Sequence, residues 1–469
     1  MHKLFLCLRY LRKRRIAVFG TFAVAMCVAL LIVITSLFSS FIDSFQNSTT
    51  QIWGQVNILS DSMTLDQYRQ MQRQLLADDK IDQVKISLET GGLLYLGRGN
   101  TVGVRIVGLD SSQLKETDPF VKGLINPVKT DMIFDLDPGS QERAQNWGTQ
   151  KRIDANDIQG VVIGIGIVAK PDELTDEYDR EAIAKDLANR DEPVFITMGK
   201  TSKKADGSMD AKKIQKRCWP TNIVQVGNYT EDTTTIYLPI ETVMAMVGQE
   251  QPNGQIFANA NIQVSSSTTK NIDEVLANTK AVWLNFVRKL YNTQISSKAA
   301  DAYVQATADL PNVKRFTAEL RKQLAVMQTI VGLICMVAAL LVLVILMMIV
   351  MQKRKDIGIM RAIGASKISV AAIFLNFGAG IGLAGSALGV LLGCWATKNI
   401  NELEQTLSNL IGSKIWKSGV YMFSEIPNEI QWTAVFWIVI VGIITATFGA
   451  VVPAIKAAAT NPVETLRYE

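Results

Sequence analysis

Apolar positions in this chain are bunched rather than spread. Four stretches, 16–41, 324–351, 370–396 and 432–454, are almost wholly apolar. Each exceeds the roughly 20 residues that a helix needs to cross a bilayer. Between the first and the second, the pattern becomes that of a water-facing domain. "QVNILS" (55–60) alternates as a strand does, and "TLDQYRQMQRQLLADD" (64–79) sets Leu65, Tyr68, Met71, Leu75 and Leu76 on one helical face. "DQVKISLETGGLLYLG" and "TVGVRIVGLD" read as two strands around a glycine-rich turn. That β-α-β-β order predicts a split β-α-β unit. Further strands are predicted at 193–199, 222–229 and 233–240, and residues 272–322 read as mostly helical, running directly into the second apolar stretch. The expected fold is an α-helical membrane domain with four transmembrane helices, plus a large mixed α+β extracytoplasmic domain between the first and second spans.

The same pattern sets the expected boundaries. They are a cytoplasmic amphipathic segment 1–15, an outer domain 42–323 with an inserted subdomain at about 111–230, a cytoplasmic loop 352–369, an outer loop 397–431 and a cytoplasmic tail 455–469. Charge supplies the orientation. Residues 1–15 hold Lys3, Arg9, Arg12, Lys13, Arg14 and Arg15 and no acid, and the loop after the second span holds Lys353, Arg354, Lys355, Arg361 and Lys367. Positive residues in short loops stay cytoplasmic. Both termini are therefore expected inside, and the domain on the far face of a bacterial inner membrane. The first apolar core is longer than that of a cleaved signal peptide, so it reads as a retained span. Of five cysteines only Cys218 falls in the outer domain, so no disulfide is expected there.

Several chemistries drop out. The only histidine is His2, so the outer domain has no imidazole for a catalytic triad or a zinc site. "VFITMGKTS" (194–202) ends like a phosphate-binding loop, but the pattern needs glycine where Val194 stands. No cofactor is expected in this chain, and nothing calls for nucleic acid. No acid or base lies deep in a span. Asn376, Gln328 and Thr445 are the polar candidates there, which argues against ion coupling. The acidic run 171–193 reads as a solvated helix. Gly378, Gly382, Gly385, Gly389 and Gly393 form a stripe of small residues on the third span. Such a stripe lets a second helix approach closely, either across a dimer seam or from the same chain.

"QKRKDIGIMRAIGAS" (352–366) sets an apolar group inside a basic loop. It resembles the loop after the second span of the ABC permeases that work by mechanotransmission, the MacB/FtsX-like superfamily. The tail "PAIKAAATNPVETLRYE" is similar to theirs as well. "YMFSEIPNEIQWTAVFWI" (421–438) and "NIVQVGNYTEDTTTIYLPIETVMAMVG" (222–248) resemble the lipoprotein-releasing permeases of LolC/LolE type. The resemblance implies that Asp356–Gly364 is a coupling helix presenting Ile357, Met360, Ile363 and Gly364 to a separate ATPase, with Arg361 at the rim. ATP and Mg would be bound by that ATPase, and only 15 residues precede the first span here. It implies a second permease, identical or different, and membrane lipids as partners, with acyl chains admitted beside Phe38, Phe41, Ile42 and Phe45. A periplasmic lipoprotein carrier would dock near 199–220, which is basic here. The implied function is ATP-driven extraction of lipoproteins from the inner membrane. The same superfamily also holds exporters of small amphiphiles, peptides or antibiotics, and signalling permeases that control an extracytoplasmic hydrolase.

Overall fold

The computed structural model describes residues 15–59, 62–97, 99–151, 158–173, 175–203, 209–251, 254–266, 272–292 and 296–460. The basic N-terminal segment, His2 included, and the tail from 461 lie outside them. The chain divides into two compact units. One comprises Met1–Ser44, Arg315–Thr406 and Ile426–Glu469; the other comprises Phe45–Lys314 and Leu407–Glu425.

The domain begins on the end of a membrane helix. Helix α1 (Arg15–Trp53) does not stop with the apolar run but continues for 39 residues in all. Gly54 ends it at φ +73°, and a Cβ there would lie 2.9 Å from the Val264 carbonyl oxygen. Only glycine takes that backbone so close to a neighbouring strand. Strand β1 (Val56–Leu59) leads to α2 (Leu65–Leu75), whose start is fixed by a capping box between Thr64 and Gln67. Helix α2 buries Tyr68, Met71 and Leu75; Leu76, just past its end, is exposed. Strands β2 (Gln83–Gly97) and β3 (Asn100–Leu109) form a long hairpin turning through Gly97 and Gly99, both at positive φ.

Next come β4 (Gln159–Gly164), β5 (Val194–Lys203) and β6 (Met209–Val224), helix α3 (Tyr229–Thr234), β7 (Thr235–Pro239) and α4 (Ile240–Val247). A small hairpin, β8 (Gln249–Glu250) with β9 (Ile256–Phe257), precedes β10 (Asn261–Ser265), α5 (Ile272–Tyr291) and β11 (Val304–Ala306). The main sheet has the order β11-β1-β10-β2-β3-β7-β4-β6-β5. Strand β5 also returns to β2, through Leu93↔Thr197, Leu94↔Ile196 and Tyr95↔Phe195. Six strands thus close into a ring, while β10, β1 and β11 extend from the other end of β2, where Val84 pairs with Val264. Strand β10 is antiparallel to both β1 and β2, so the predicted split β-α-β unit is present. Side chains alternate between two cores. Ile106, Ile163, Ile236 and Leu238 enter one; Val107, Val162 and Tyr237 enter the other with Phe120 and Ile133.

Two expectations need correction, and two others gain detail. The stretch expected as an inserted subdomain contributes β4, β5 and β6 to the common sheet. The basic segment after 199 is mostly a β-hairpin, paired from Val194↔Cys218 to Lys203↔Met209. Helix α3 separates the strands predicted at 222–229 and 233–240. Residues 272–322 are mostly helical, as expected, with β11 set between their helices. Strand β11 pairs with β1 through Val56↔Ala306, and Thr307 Oγ1 donates to the Gly54 carbonyl oxygen at 2.5 Å. The chain leaving the first span is therefore stitched to the chain about to form the second.

That second membrane helix is α6 (Pro311–Gln352), followed by the short α7 (Arg354–Ala362), then α8 (Lys367–Lys398), α9 (Ile400–Ile411), α10 (Trp432–Gly449) and α11 (Val451–Ala458). Among the described residues four helices, with α10 and α11 counted together, are long and apolar enough to cross a membrane. The glycine stripe on α8 is occupied from both sides by the same chain. A Cβ on Gly378 would sit 2.4 Å from Ala450 Cβ, and one on Gly382 would sit 3.0 Å from Ala446 Cβ. Gly385, Gly389 and Gly393 face α1 instead, with Val24, Val28 and Ile32 Cβ atoms at 2.8, 2.7 and 3.0 Å. Of the two sequence alternatives, packing within one chain accounts for all five glycines.

Candidate functional site

The basic loop forms a helix, as its periodicity predicts, but it faces otherwise than expected. Lys353 pairs with Asp356 at 2.5 Å across its first turn. Ile357 is only 1% exposed and belongs to the core that includes Val350, Val370, Ala454 and Ala457; Met360 packs against that core. These two side chains hold α7 onto the membrane unit and are not an outward ridge. Arg361 is also turned inward. Its Nη1 donates to the carbonyl oxygens of Ala458, at 3.2 Å, and Thr460. A guanidinium there satisfies carbonyls that the end of α11 leaves without helical partners. The open large apolar side chains are Ile359 and Ile363, beside exposed Gly364, with Ile368 at the start of α8; Ile363 and Ile368 are each 82% exposed. Sequence reasoning missed Ile359 and Ile368. The 3.6-residue period defines opposite faces but does not say which one the bundle takes.

A cavity of about 560 Å³ lies among α1, α6 and α10. Leu31, Gly332, Met336, Trp437, Val441 and Phe448 give it apolar walls, and Thr35, Gln328 and Thr445 are its polar members. Gln328 Nε2 lies 3.4 Å from Thr35 Oγ1, and Thr445 donates to the Val441 carbonyl of its own helix at 2.7 Å. Two of the polar residues singled out from the sequence thus come together; Asn376 does not line this cavity. Phe38, Phe41, Ile42 and Phe45 do not line it either. Ile42 and Phe45 are buried, and Phe38 and Phe41 are half-buried.

In the domain, a charged cluster meets the end of α1. Arg105 pairs closely with Glu231, lies 3.6 Å from Glu89 and donates to Thr235 Oγ1 at 3.2 Å. Its guanidinium carbon stands 5.6 Å from the centre of the Trp53 ring, a cation–π contact. Burial raises the Glu89 carboxyl above its ordinary range, against the pull of Arg105. Helix α3, which carries Glu231, also touches a distant part of the chain through Tyr229. Tyr229 N–H donates to the Met422 carbonyl at 3.2 Å, and Gly419 packs on the Tyr229 ring. Nearby, Lys414 Nζ donates to the Thr175 carbonyl at 2.8 Å and Ser418 N–H to Asp176 Oδ2 at 2.7 Å. Asp176 and Met422 are two of the three non-glycine residues at positive φ among those described, at 57° and 69°. Both lie where the segment joining the third and fourth spans meets the domain.

Asp232, on the same short helix, accepts from Val226 N–H at 2.6 Å and Gly227 N–H at 3.1 Å. Burial nevertheless pushes its carboxyl up to about 7. A carboxyl raised on folding stabilises the fold fully below its unfolded value of about 3.9 and ceases to do so as pH passes its folded value. Thermal unfolding of the full chain is expected at higher temperature at pH 5 than at pH 8. Asp232→Asn should flatten that slope. An unchanged slope would remove Asp232 from the account.

Residues 328–462 match the family model described as FtsX-like permease C-terminal. Over this stretch the chain is similar to FtsX-like permease domains, and the stretch lies in a membrane protein. Two relatives are of LolC/LolE type. The chain is 32% identical over 151 residues to the lipoprotein-releasing system transmembrane protein LolC of Neisseria meningitidis serogroup B, covering 32% of this chain and 36% of that protein. It is 29% identical over 117 residues to LolE of Haemophilus influenzae, covering 25% and 28%. The chain thus matches about a third of the length of these relatives. The extracellular domain of the ABC-type transporter YknZ aligns with 54% of this chain and 97% of its own, at 9% identity and a TM-score of 0.26.

Proposed function

We propose that this chain is the membrane subunit of an ATP-driven transporter that lifts lipid-anchored cargo, lipoproteins in the first place, out of the bilayer. The cavity among α1, α6 and α10 carries this reading. Its volume of about 560 Å³ is within the range of about 300–1,000 Å³ usual for ligand sites, its walls suit an acyl chain, and its polar pair suits a linkage near the chain's end. Removing an anchor from lipid costs about 0.8 kcal/mol per methylene. Several chains together cost on the order of tens of kcal/mol, which requires an external source of work. That source is a separate ABC ATPase, which holds the ATP and Mg and docks on Ile359, Ile363 and Ile368. A second permease, identical or different, completes the transporter. The loop helix α7 then faces the cytoplasm and the domain faces the periplasm, where the β5–β6 hairpin is the place for a carrier.

Two substitutions test the two halves of the proposal. Ile363→Asp should abolish co-purification of the ATPase while membrane insertion is unchanged; normal co-purification would overturn the docking assignment. A Cβ added at Gly332 would meet no atom within 4 Å, so Gly332→Leu fills the cavity without forcing the helices apart. Release of a fluorescent lipoprotein from proteoliposomes should fall to background with the ATPase still bound. Undiminished release would count against lipid-anchored cargo and favour an amphiphile exporter or a signalling permease.

A further inference from the structure

Helix α9 is amphipathic, but its faces are inverted for a protein-packed helix. It begins two residues after the end of α8, with only Asn399 between. Leu403, Leu407, Leu410 and Ile411 fall at i, i+4, i+7 and i+8 and form one stripe. They are 39%, 49%, 80% and 61% exposed. The residues turned toward protein are polar instead. Asn401 exchanges hydrogen bonds with the backbone of Ile426, and Ser408 is buried, its Oγ accepting from Ile415 N–H at 3.0 Å. A third face, Glu402, Gln405 and Asn409, is open.

The depth of this helix is set at its start. Asn401 Nδ2 donates to the Ile426 carbonyl at 3.2 Å, and Asn428 Nδ2 donates to the Lys398 carbonyl at 3.0 Å. These bonds tie the end of the third span to the chain leading into the fourth. Exposed Trp395 closes one span and exposed Trp432 opens the other. Tryptophans concentrate at the boundary between membrane and water, so α9 starts at that boundary. Its sequence, INELEQTLSNLI, has two acids and no base, and offers nothing to anionic headgroups. Its apolar stripe has only apolar area to contribute.

We propose that α9 lies in the bilayer interface, with Leu403, Leu407, Leu410 and Ile411 among the acyl chains and Glu402, Gln405 and Asn409 in water. The helix is then an interfacial anchor that fixes the depth of the link between the third and fourth spans. This inference depends on membrane insertion and not on the cargo or the energy source. The test uses the full chain in nanodiscs of zwitterionic phospholipid. Single spin labels are placed in turn at 403, 405, 407, 409, 410 and 411, with the natural cysteines replaced. Collision with oxygen should exceed collision with a water-soluble nickel chelate at 403, 407, 410 and 411, and the order should reverse at 405 and 409. Nickel access at all six positions would overturn the proposal. So would exclusion of both reagents from the leucine positions with spin–spin broadening, the result for a second copy of the chain seated there. If the cysteine-free chain does not fold, Leu410→Trp in the natural background decides. Added quenching by brominated lipid supports the interface, and added quenching by aqueous acrylamide overturns it.

Discussion

Gly389→Leu is expected to part the first and third spans and destroy the membrane unit as a compact body. A Cβ at that position would lie 2.7 Å from Val28 Cβ and 2.8 Å from the Ala25 carbonyl oxygen. One of these is backbone and the other is rooted on it, so no rotamer change relieves the contact. Overpacking a well-filled core costs about 1–3 kcal/mol for a few methylenes. Here the whole leucine must enter a seam built for backbone contact, and Gly385 and Gly393 on either side allow no local shift. Solubilised protein should lose its single size-exclusion peak and its protease resistance. Gly332→Leu, on a helix face that opens into the cavity, is the control and should retain both. If the two variants behave alike, the glycine seam is not what holds these helices together.

The second large effect is expected in the domain. Arg105→Met removes the cation paired with Glu89 and Glu231 while keeping most of the side-chain volume. Breaking a buried pair by removing one partner costs about 3–5 kcal/mol. The Arg105 side chain retains 29% of its exposure, which places the expected loss near the lower end of that range. The two carboxylates would then face one another without their cation, and burial already raises the Glu89 carboxyl. The deficit should therefore shrink as pH falls toward 5, where protonation relieves the repulsion. Thermal unfolding of wild type and variant across pH 5–8 measures both quantities. A loss below about 1 kcal/mol, within the range of an exposed ion pair, would mean that the cluster is solvated.

The spans were legible because apolar runs of that length have one use. The split β-α-β start was legible because Tyr68, Met71 and Leu75 repeat at helical spacing between alternating strands. What stayed hidden depends on partners far away in sequence. Residues 42–53 of α1 are mostly polar and mark no helix by themselves; they are fixed because Trp53 meets Arg105 and Gly54 meets Val264. Return of β5 to β2, which closes the ring, joins residues about a hundred positions apart and leaves no local mark. The loop at 352–366 shows the same limit at finer scale. Its period identified a helix with an apolar side, but Ile357 turned to its own bundle and left Ile359, Ile363 and Ile368 outside. The glycine stripe announced close approach by some helix, and only the packed bundle names Val24, Val28 and Ile32 as its neighbours.

The attachment of 407–425 to the domain bears on how this protein can be taken apart and rebuilt. A graft that exchanges 45–314 with the corresponding piece of a relative would carry Tyr229, Asp176 and Thr175 but leave Met422, Ser418 and Lys414 behind. Such a hybrid contains two unmatched halves of one joint, and the left-handed backbone at Met422 would have lost the contact that compensates its strain. The exchangeable module is therefore discontinuous: both segments have to move together for a chimera to inherit a working connection.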